Sequence, residues 1–212
     1  MQEIMIKTSS DNYDFYYFKN SVAARDIDKI IKLQESCYKQ ICDKLLIQSS
    51  IRIQYYLLDS PELVGKVYGD NESCNGFAAE PDKIYAVYSD KVKCVGYHED
   101  THILSYTINI PQSTFLREGL AMYFDGLWWD KPNQEWVKLY IKEGKYIPIV
   151  DLFNDNIFNQ YGCEITYPIA GAFTKFIIDK FKIEHYLEFY RYSGIDFRTN
   201  FKRVYSQSLA NI

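Results

Sequence analysis

His98-Glu99-Asp100-Thr101-His102, answered further on by Leu116-Arg117-Glu118-Gly119-Leu120-Ala121-Met122-Tyr123, is the stretch that decides the reading of this chain. Only three histidines occur in the sequence, and two of them stand here with a glutamate directly after the first. On a helix, four residues turn through about 400°, so both imidazoles leave one face, one turn apart. Two nitrogens placed in that way can grip a single Zn²⁺ at about 2.0–2.1 Å. Glu99 is offset from His98 by about 100° and is poorly placed as a third ligand. It can instead take a proton from a water that the metal activates, as a general base. A catalytic zinc needs a third protein ligand and one open position. His185 is far along the chain and reads as an exposed helix residue, so a carboxylate is expected. Glu118 follows His102 with fifteen residues between. That length lets the first helix finish, turn, and be crossed by a second, and the small Gly119 and Ala121 favour a close approach. Glu118 is therefore the expected third ligand.

Outward from this stretch the chain divides near Pro111, into an α/β lobe over 1–110 that ends in the HExxH helix and a helical lobe over 111–212. Ser21 is expected to cap a long helix running to about Leu46, with Ile27, Ile30, Ile31, Tyr38, Ile41 and Leu45 on one face. Ile51, Ile53, Tyr55 and Leu57 alternate as in a half-buried strand. Gly76–Ala79 and Lys83–Tyr88 read as two strands around a Pro81-Asp82 turn. After Asp90 the period becomes helical through Val92, Val95, Leu104 and Ile108. Further helices are expected after Ser113 or Thr114, at about 134–143 and 151–158, from an entrance at Thr166-Tyr167-Pro168, and around 183–191 and 196–205. Trp128 and Trp129 are expected either to pack the second lobe or to line a substrate pocket, with packing favoured because isolated aromatic residues belong to the core more often than to recognition sites. The expected class is α+β, with a small mixed sheet in the first lobe and a cleft between the lobes.

HExxH followed by a helix carrying an EGLAxY-type segment resembles the gluzincin zinc peptidases, the peptidase MA-like families related to the catalytic domains of aminopeptidase N and thermolysin. Tyr167-Pro168-Ile169-Ala170-Gly171-Ala172-Phe173 is similar to a later helix of these enzymes that begins with a tyrosine, and Phe201–Leu209 is similar to their final helix-turn. The resemblance covers about residues 50–210 and is strongest over 95–125. It implies a thermolysin-like zincin fold, one zinc on His98, His102 and Glu118, and Glu99 as base. It implies that Tyr167 donates a hydroxyl to the oxyanion. It also implies that Gly76, Phe77 and Ala78 form the edge strand along which a peptide lies. Aminopeptidases of this kind carry an amine-binding glutamate in that strand. Here Ala79 stands in its place, with Glu80 next to it, and a one-residue slip reverses the face of a strand side chain. Endopeptidase action is favoured over exopeptidase action on that ground. Thermolysin-like enzymes also carry an aspartate four residues after the ligand glutamate. Met122 stands there; Asp125, seven residues after Glu118 on the same helical face, is a candidate outer-shell acid, with a solvated helix-end carboxylate as its plainer reading.

Composition narrows the rest. The 24 basic residues are outnumbered by 28 acidic ones, for a formal net charge of -4, which argues against a general nucleic-acid binder. Aromatic residues make up 17% of the chain, which excludes global disorder. No apolar run approaches the roughly 18 residues of a membrane span. The first residues carry an early acid and no long apolar stretch, so a cytoplasmic location is expected. Five scattered cysteines with no CxxC pair read as reduced thiols. The expected activity is zinc-dependent hydrolysis of a peptide or protein substrate. The alternatives are a catalytically idle zinc domain that captures a peptide, and hydrolysis of a non-peptide amide on the same scaffold.

Overall fold

The structure, a computed structural model, describes residues 4–69, 71–193 and 196–209. The chain is of mixed α+β class with a small mixed sheet. It divides between Leu104 and Ser105 into two compact units. No helix of the described residues is long and apolar enough to cross a membrane.

The first unit is built on a five-stranded sheet. Its strands are β1 (Met5–Ser9), β2 (Tyr13–Phe18), β3 (Ile53–Leu58), β4 (Gly76–Ala79) and β5 (Lys83–Val87), in the order β1-β2-β3-β5-β4. The β1-β2 and β5-β4 pairs are antiparallel, and β2-β3 and β3-β5 are parallel. One face buries Tyr13, Phe15 and Tyr17 of β2, Ile53, Tyr55 and Leu57 of β3, and Ile84 and Ala86 of β5. Helix α1 (Val22–Leu45) brings Ile30, Cys37, Tyr38, Ile41 and Leu45 into the same core, with Tyr38 edge-on to Tyr13 at 5.8 Å. Ser21 caps α1 by accepting from the Ala24 amide at 3.1 Å.

The opposite face of the sheet carries a ladder of rings, one from each of β2, β3, β5 and β4. Tyr16, Tyr56, Tyr85 and Phe77 stack in turn, with centroids 4.7, 4.7 and 5.0 Å apart. Such cross-strand pairs are the unit of sheet stabilisation. Next to the ladder, helix α2 (Pro61–Tyr68), capped by Ser60, packs Val64 against Leu58 and Val87.

Helix α3 (His98–Ser105) is shorter than the periodicity after Asp90 suggests. Tyr88 and Lys93 form an isolated antiparallel bridge, and Val92 packs beside Leu58, Val64 and Val87. Gly96 then takes φ of 137°, a backbone that no helix contains. The helix can begin only after it.

Among its described residues, the regular structure of the second unit is helical apart from one small hairpin. Helix α4 (Thr114–Asp125) ends at Gly126 in the left-handed conformation, φ 70°. The hairpin β6 (Leu127–Trp128) and β7 (Lys131–Pro132) turns through Trp129 and Asp130, both at positive φ, as a primed two-residue turn requires. Helices α5 (Asn133–Glu143), α6 (Ile149–Leu152), α7 (Asp155–Phe158), α8 (Cys163–Arg191) and α9 (Phe197–Tyr205) follow. Phe115, Phe153, Phe158, Phe173, Phe189 and Phe201 are buried together, each ring worth about 1.5–3 kcal/mol of transfer free energy.

Helix α8 holds α4 close through its own and its neighbour's missing side chains. A Cβ at Gly119 would stand 2.7 Å from Thr174 Oγ1 and 3.1 Å from the Ala170 carbonyl oxygen. A Cβ at Gly171 would stand 2.6 Å from Met122 Cβ. Gly119 is thus small because α8 requires it, a neighbour other than the one expected from its place beside Glu118. Helix α8 begins at Cys163, earlier than the expected entrance at Thr166, and Pro168 lies inside it. Proline removes the donor that would bond the carbonyl four residues back. That carbonyl belongs to Glu164, and the Tyr140 hydroxyl of α5 donates to it instead. Helicity breaks at Lys182, φ 71° and ψ 161°, which separates the two expected segments on either side.

Candidate metal centre

His98 and His102 occupy the first and fifth positions of α3, and their rings meet edge to face with centroids 5.1 Å apart. His102 is buried, at 6% exposure, and His98 is partly buried. Glu118 lies in the second turn of α4. One ligand atom from each of His98, His102 and Glu118 lies within 4.8 Å of the others. Donors around a tetrahedral zinc at about 2.0–2.2 Å are roughly 3.3 Å apart, so small side-chain rotations suffice to bring these onto one ion. Two imidazoles and a carboxylate make up a donor set suited to Zn²⁺, and they leave a fourth coordination position for a reacting group. Among the described residues no other group of histidine, cysteine or acidic side chains meets that geometry.

Glu99 stands beside the edge strand. A Cβ built on Gly76 would lie 3.2 Å from Glu99 Oε1. The absence of a side chain at position 76 therefore lets the strand backbone pass the glutamate carboxylate closely. β4 has β5 on one side and no further strand of the sheet on the other. Its register opposes Gly76 to Ala86 and Phe77 to Tyr85, and the Val87 amide donates to the Asn75 carbonyl at 2.9 Å. Hydrogen-bonded pairs alternate along an antiparallel ladder, so Phe77 and Ala79 face β5 and the main-chain groups of Gly76 and Ala78 face away from it. The Gly76 carbonyl accepts from the Cys74 thiol at 3.2 Å. Phe77 uses its ring in the aromatic ladder. Ala79 is the last residue of the strand, and Glu80 stands exposed in the turn to β5.

Inside the HExxH motif, Asp100 points into the core of the first unit and is fully buried. Its Oδ2 accepts from Gln34 Nε2 at 3.0 Å and from the Tyr13 hydroxyl. The same Gln34 amide donates to the Gly96 carbonyl at 3.1 Å, and the Tyr13 hydroxyl also faces the Gln34 carbonyl at 3.0 Å. Helix α3 is thereby fastened to both α1 and β2. Burial pushes the Asp100 carboxyl well above the ordinary carboxylate range.

Tyr167 lies in the second turn of α8, partly buried. Its ring meets Trp128 edge-on at 5.7 Å and Phe158 at 6.2 Å. Cys163, one turn earlier, is close enough to Glu118 for that carboxylate to help raise its thiol pKa, after burial and Glu164. Met122 is buried in the α4–α8 contact, and Asp125 is the last residue of α4. His185 is exposed on α8, with Nδ1 2.7 Å from the Phe181 carbonyl oxygen. Sequence reasoning missed the Asp100–Gln34–Tyr13 fastening. Its one signal was an acid inside the motif on the side opposite the ligands.

No family model matches the chain, and no curated protein matches it.

Proposed function

We propose that this chain is a single-zinc peptidase with a thermolysin-like zincin arrangement, in which His98, His102 and Glu118 hold the metal and Glu99 is the general base. The observation that carries the reading is the convergence of those three donors. The carboxylate next in sequence to the first histidine lies against an open strand edge, which adds to it. What zinc supplies when bound is Lewis acidity, which polarises a carbonyl and eases deprotonation of water.

The chain's own residues supply the rest. Gly76 and Ala78 present main-chain groups to an extended peptide, which adds to β4 as a further strand. Glu99 takes a proton from the attacking water and later passes it to the departing amine. The Tyr167 hydroxyl donates to the carbonyl oxygen as negative charge develops there. No carboxylate of β4 is placed to fix a free amino terminus, because the strand ends at Ala79, which favours internal cleavage of peptides.

The test pairs metal analysis with cleavage of a mixed library of unstructured peptides, with and without a chelator. Wild-type protein is expected to carry one zinc per chain and to lose cleavage on chelation. Glu99→Gln is expected to keep the zinc and to lose at least about 100-fold in rate, the usual worth of a positioned base. Wild-type cleavage by Glu99→Gln, or no zinc bound after metal is supplied, refutes the proposal. Stoichiometric zinc without cleavage of any peptide transfers the reading to an idle peptide-binding domain.

A further inference from the structure

Between the two histidines of α3 stands an acid that the proposed chemistry does not use. Asp100 is two positions from each of them. At about 100° per residue it projects opposite the line midway between the imidazoles. We propose that Gln34 and Tyr13 are positioning residues of the metal centre, which act through Asp100 to fix the rotation of α3 about its own axis and so the places of His98 and His102. The inference rests on the metal-binding part of the reading above, and it adds which residues of the core set the affinity for the ion.

A helix of eight residues does not hold itself in water, where even about 12–15 residues are marginal. The orientation of α3 therefore comes from its surroundings. Ile103 and Leu104 are buried, but apolar contact is non-directional. A hydrogen bond has direction, since it weakens steeply once its angle falls below about 120°. Direction matters here because of leverage. With side chains a helix is about 10–12 Å across, so a rotation of about 10° carries a ligand atom by roughly 1 Å. Metal–ligand distances must fall within about 0.2 Å of their ideal values.

The two anchors are themselves immobile. Gln34 lies within α1 and is 0% exposed. Its Nε2 donates both to Asp100 Oδ2 at 3.0 Å and to the Gly96 carbonyl at 3.1 Å. One amide thus holds together the first turn of α3 and the chain that leads into it. The Tyr13 hydroxyl of β2 donates to the same Asp100 oxygen. The Tyr13 ring is stacked on Phe15 at 5.1 Å and set edge-on to Tyr38 at 5.8 Å. Donors from two different elements converge on one oxygen, which restrains it more than either alone. Tyr13, Gln34 and Asp100 are all 0% exposed. Replacing buried hydrogen-bond partners together by apolar groups of the same shape can be neutral or stabilising. Stability alone does not call for three polar side chains at this depth, whereas a single required orientation of α3 does.

The experiment measures zinc affinity by competition with a chromogenic chelator, at temperatures below the melting transition of each protein. The visible spectrum of cobalt(II)-loaded protein reports the ligand geometry, and melting of the metal-free protein reports stability. Gln34→Met and Tyr13→Phe are each expected to bind zinc about tenfold more weakly, the lower end of the 10–100-fold effect of outer-shell partners, and to alter the cobalt spectrum. Ile41→Ala removes buried apolar packing seven residues after Gln34, on the same face of α1. It is expected to lower the melting temperature and to leave zinc affinity within about twofold of wild type. Asp100→Asn keeps an oxygen that can accept from both donors, and is expected to stay within about threefold of wild type.

Wild-type affinity and spectrum in folded Gln34→Met and Tyr13→Phe overturn the inference and leave the metal reading standing. So does an Ile41→Ala that loses as much affinity as they do, because the loss then belongs to general loosening of the core. A tenfold loss in Asp100→Asn overturns it as well, and that variant decides the matter if the other two fail to fold. Wild-type protein that takes up no zinc refutes the metal reading itself, and the inference falls with it.

Discussion

At the scale of single residues, the molecule turns on who stands next to Glu99. Gly76 leaves the space that a side chain would take from its carboxylate, and the neighbouring Tyr85 carbonyl oxygen, 3.4 Å from the same missing Cβ, leaves little room to shift. Gly76→Ala is therefore expected to displace the Glu99 carboxylate by a few tenths of an ångström. A base misplaced by that much should cost about tenfold in kcat, with zinc content unchanged, since misplacement by about 1 Å can cost 100-fold. Kinetics on a single good peptide, alongside metal analysis, decide it. An unaltered kcat would mean that Glu99 is not held by this contact. The residues of the metal centre were readable in the sequence because their chemistry is local: two imidazoles one helical turn apart need only four positions. The surface cavity that Trp128, Trp129 and Trp136 line together with Tyr140, Glu164 and Ile165 was not readable. Trp128 and Trp129 are separated from Glu164 and Ile165 by three helices and their connections, and the packing of α5 on α8 brings them to one place.

At the scale of elements, legibility followed the contrast between buried and exposed faces. Strand β3 was readable from its beginning, where the polar Arg52 and Gln54 alternate with Ile51, Ile53 and Tyr55. The Ser21 cap and the Pro81-Asp82 turn carried their own local signals. Strand β2 was missed because Tyr13, Phe15 and Tyr17 face the core while Tyr16 and Phe18 put aromatic rings on the other side too. A strand apolar on both faces shows no period of two. The hairpin turn was missed because Trp129 and Asp130 adopt positive φ without glycine or asparagine. Helix α8 runs through Pro168 because another element repairs the damage. Tyr140 is 5% exposed and its hydroxyl serves the Glu164 carbonyl, while burial pushes its pKa up to about 12. Tyr140→Phe leaves that carbonyl without its hydroxyl donor. The expected loss is about 1–3 kcal/mol, the cost of an unsatisfied buried group, measured as a lowered urea midpoint at constant slope. A midpoint equal to wild type would show that Pro168 is tolerated by other means.

At the scale of the whole molecule, acid sensitivity has a visible source in the first unit. Asp26 is held by Arg25, by Lys29 and by Lys93 of the segment that leads towards α3, and Tyr88 donates to it at 3.3 Å. Its carboxyl falls from 3.8 to about 2, chiefly through the Arg25 hydrogen bond. A depressed folded-state value means that the unfolded chain binds the proton first. The stabilisation is therefore complete above about 4 and is lost as pH falls through about 2. Asp26→Asn is expected to melt below wild type at neutral pH, with the two melting temperatures converging across that window. A constant difference down to the acid limit would assign the effect to packing rather than to charge.

The open side of β4 has one more consequence. Main-chain donors and acceptors that greet a passing peptide cannot tell it from the same edge of a sister chain, and two such edges can zip together into a continuous intermolecular sheet. The strand limits that hazard by its brevity: of its four residues only Gly76 and Ala78 turn their main-chain groups outward, which offers few rungs. Brevity sets the reach of recognition as well, since an edge too short to polymerise can register only a short stretch of any substrate laid along it.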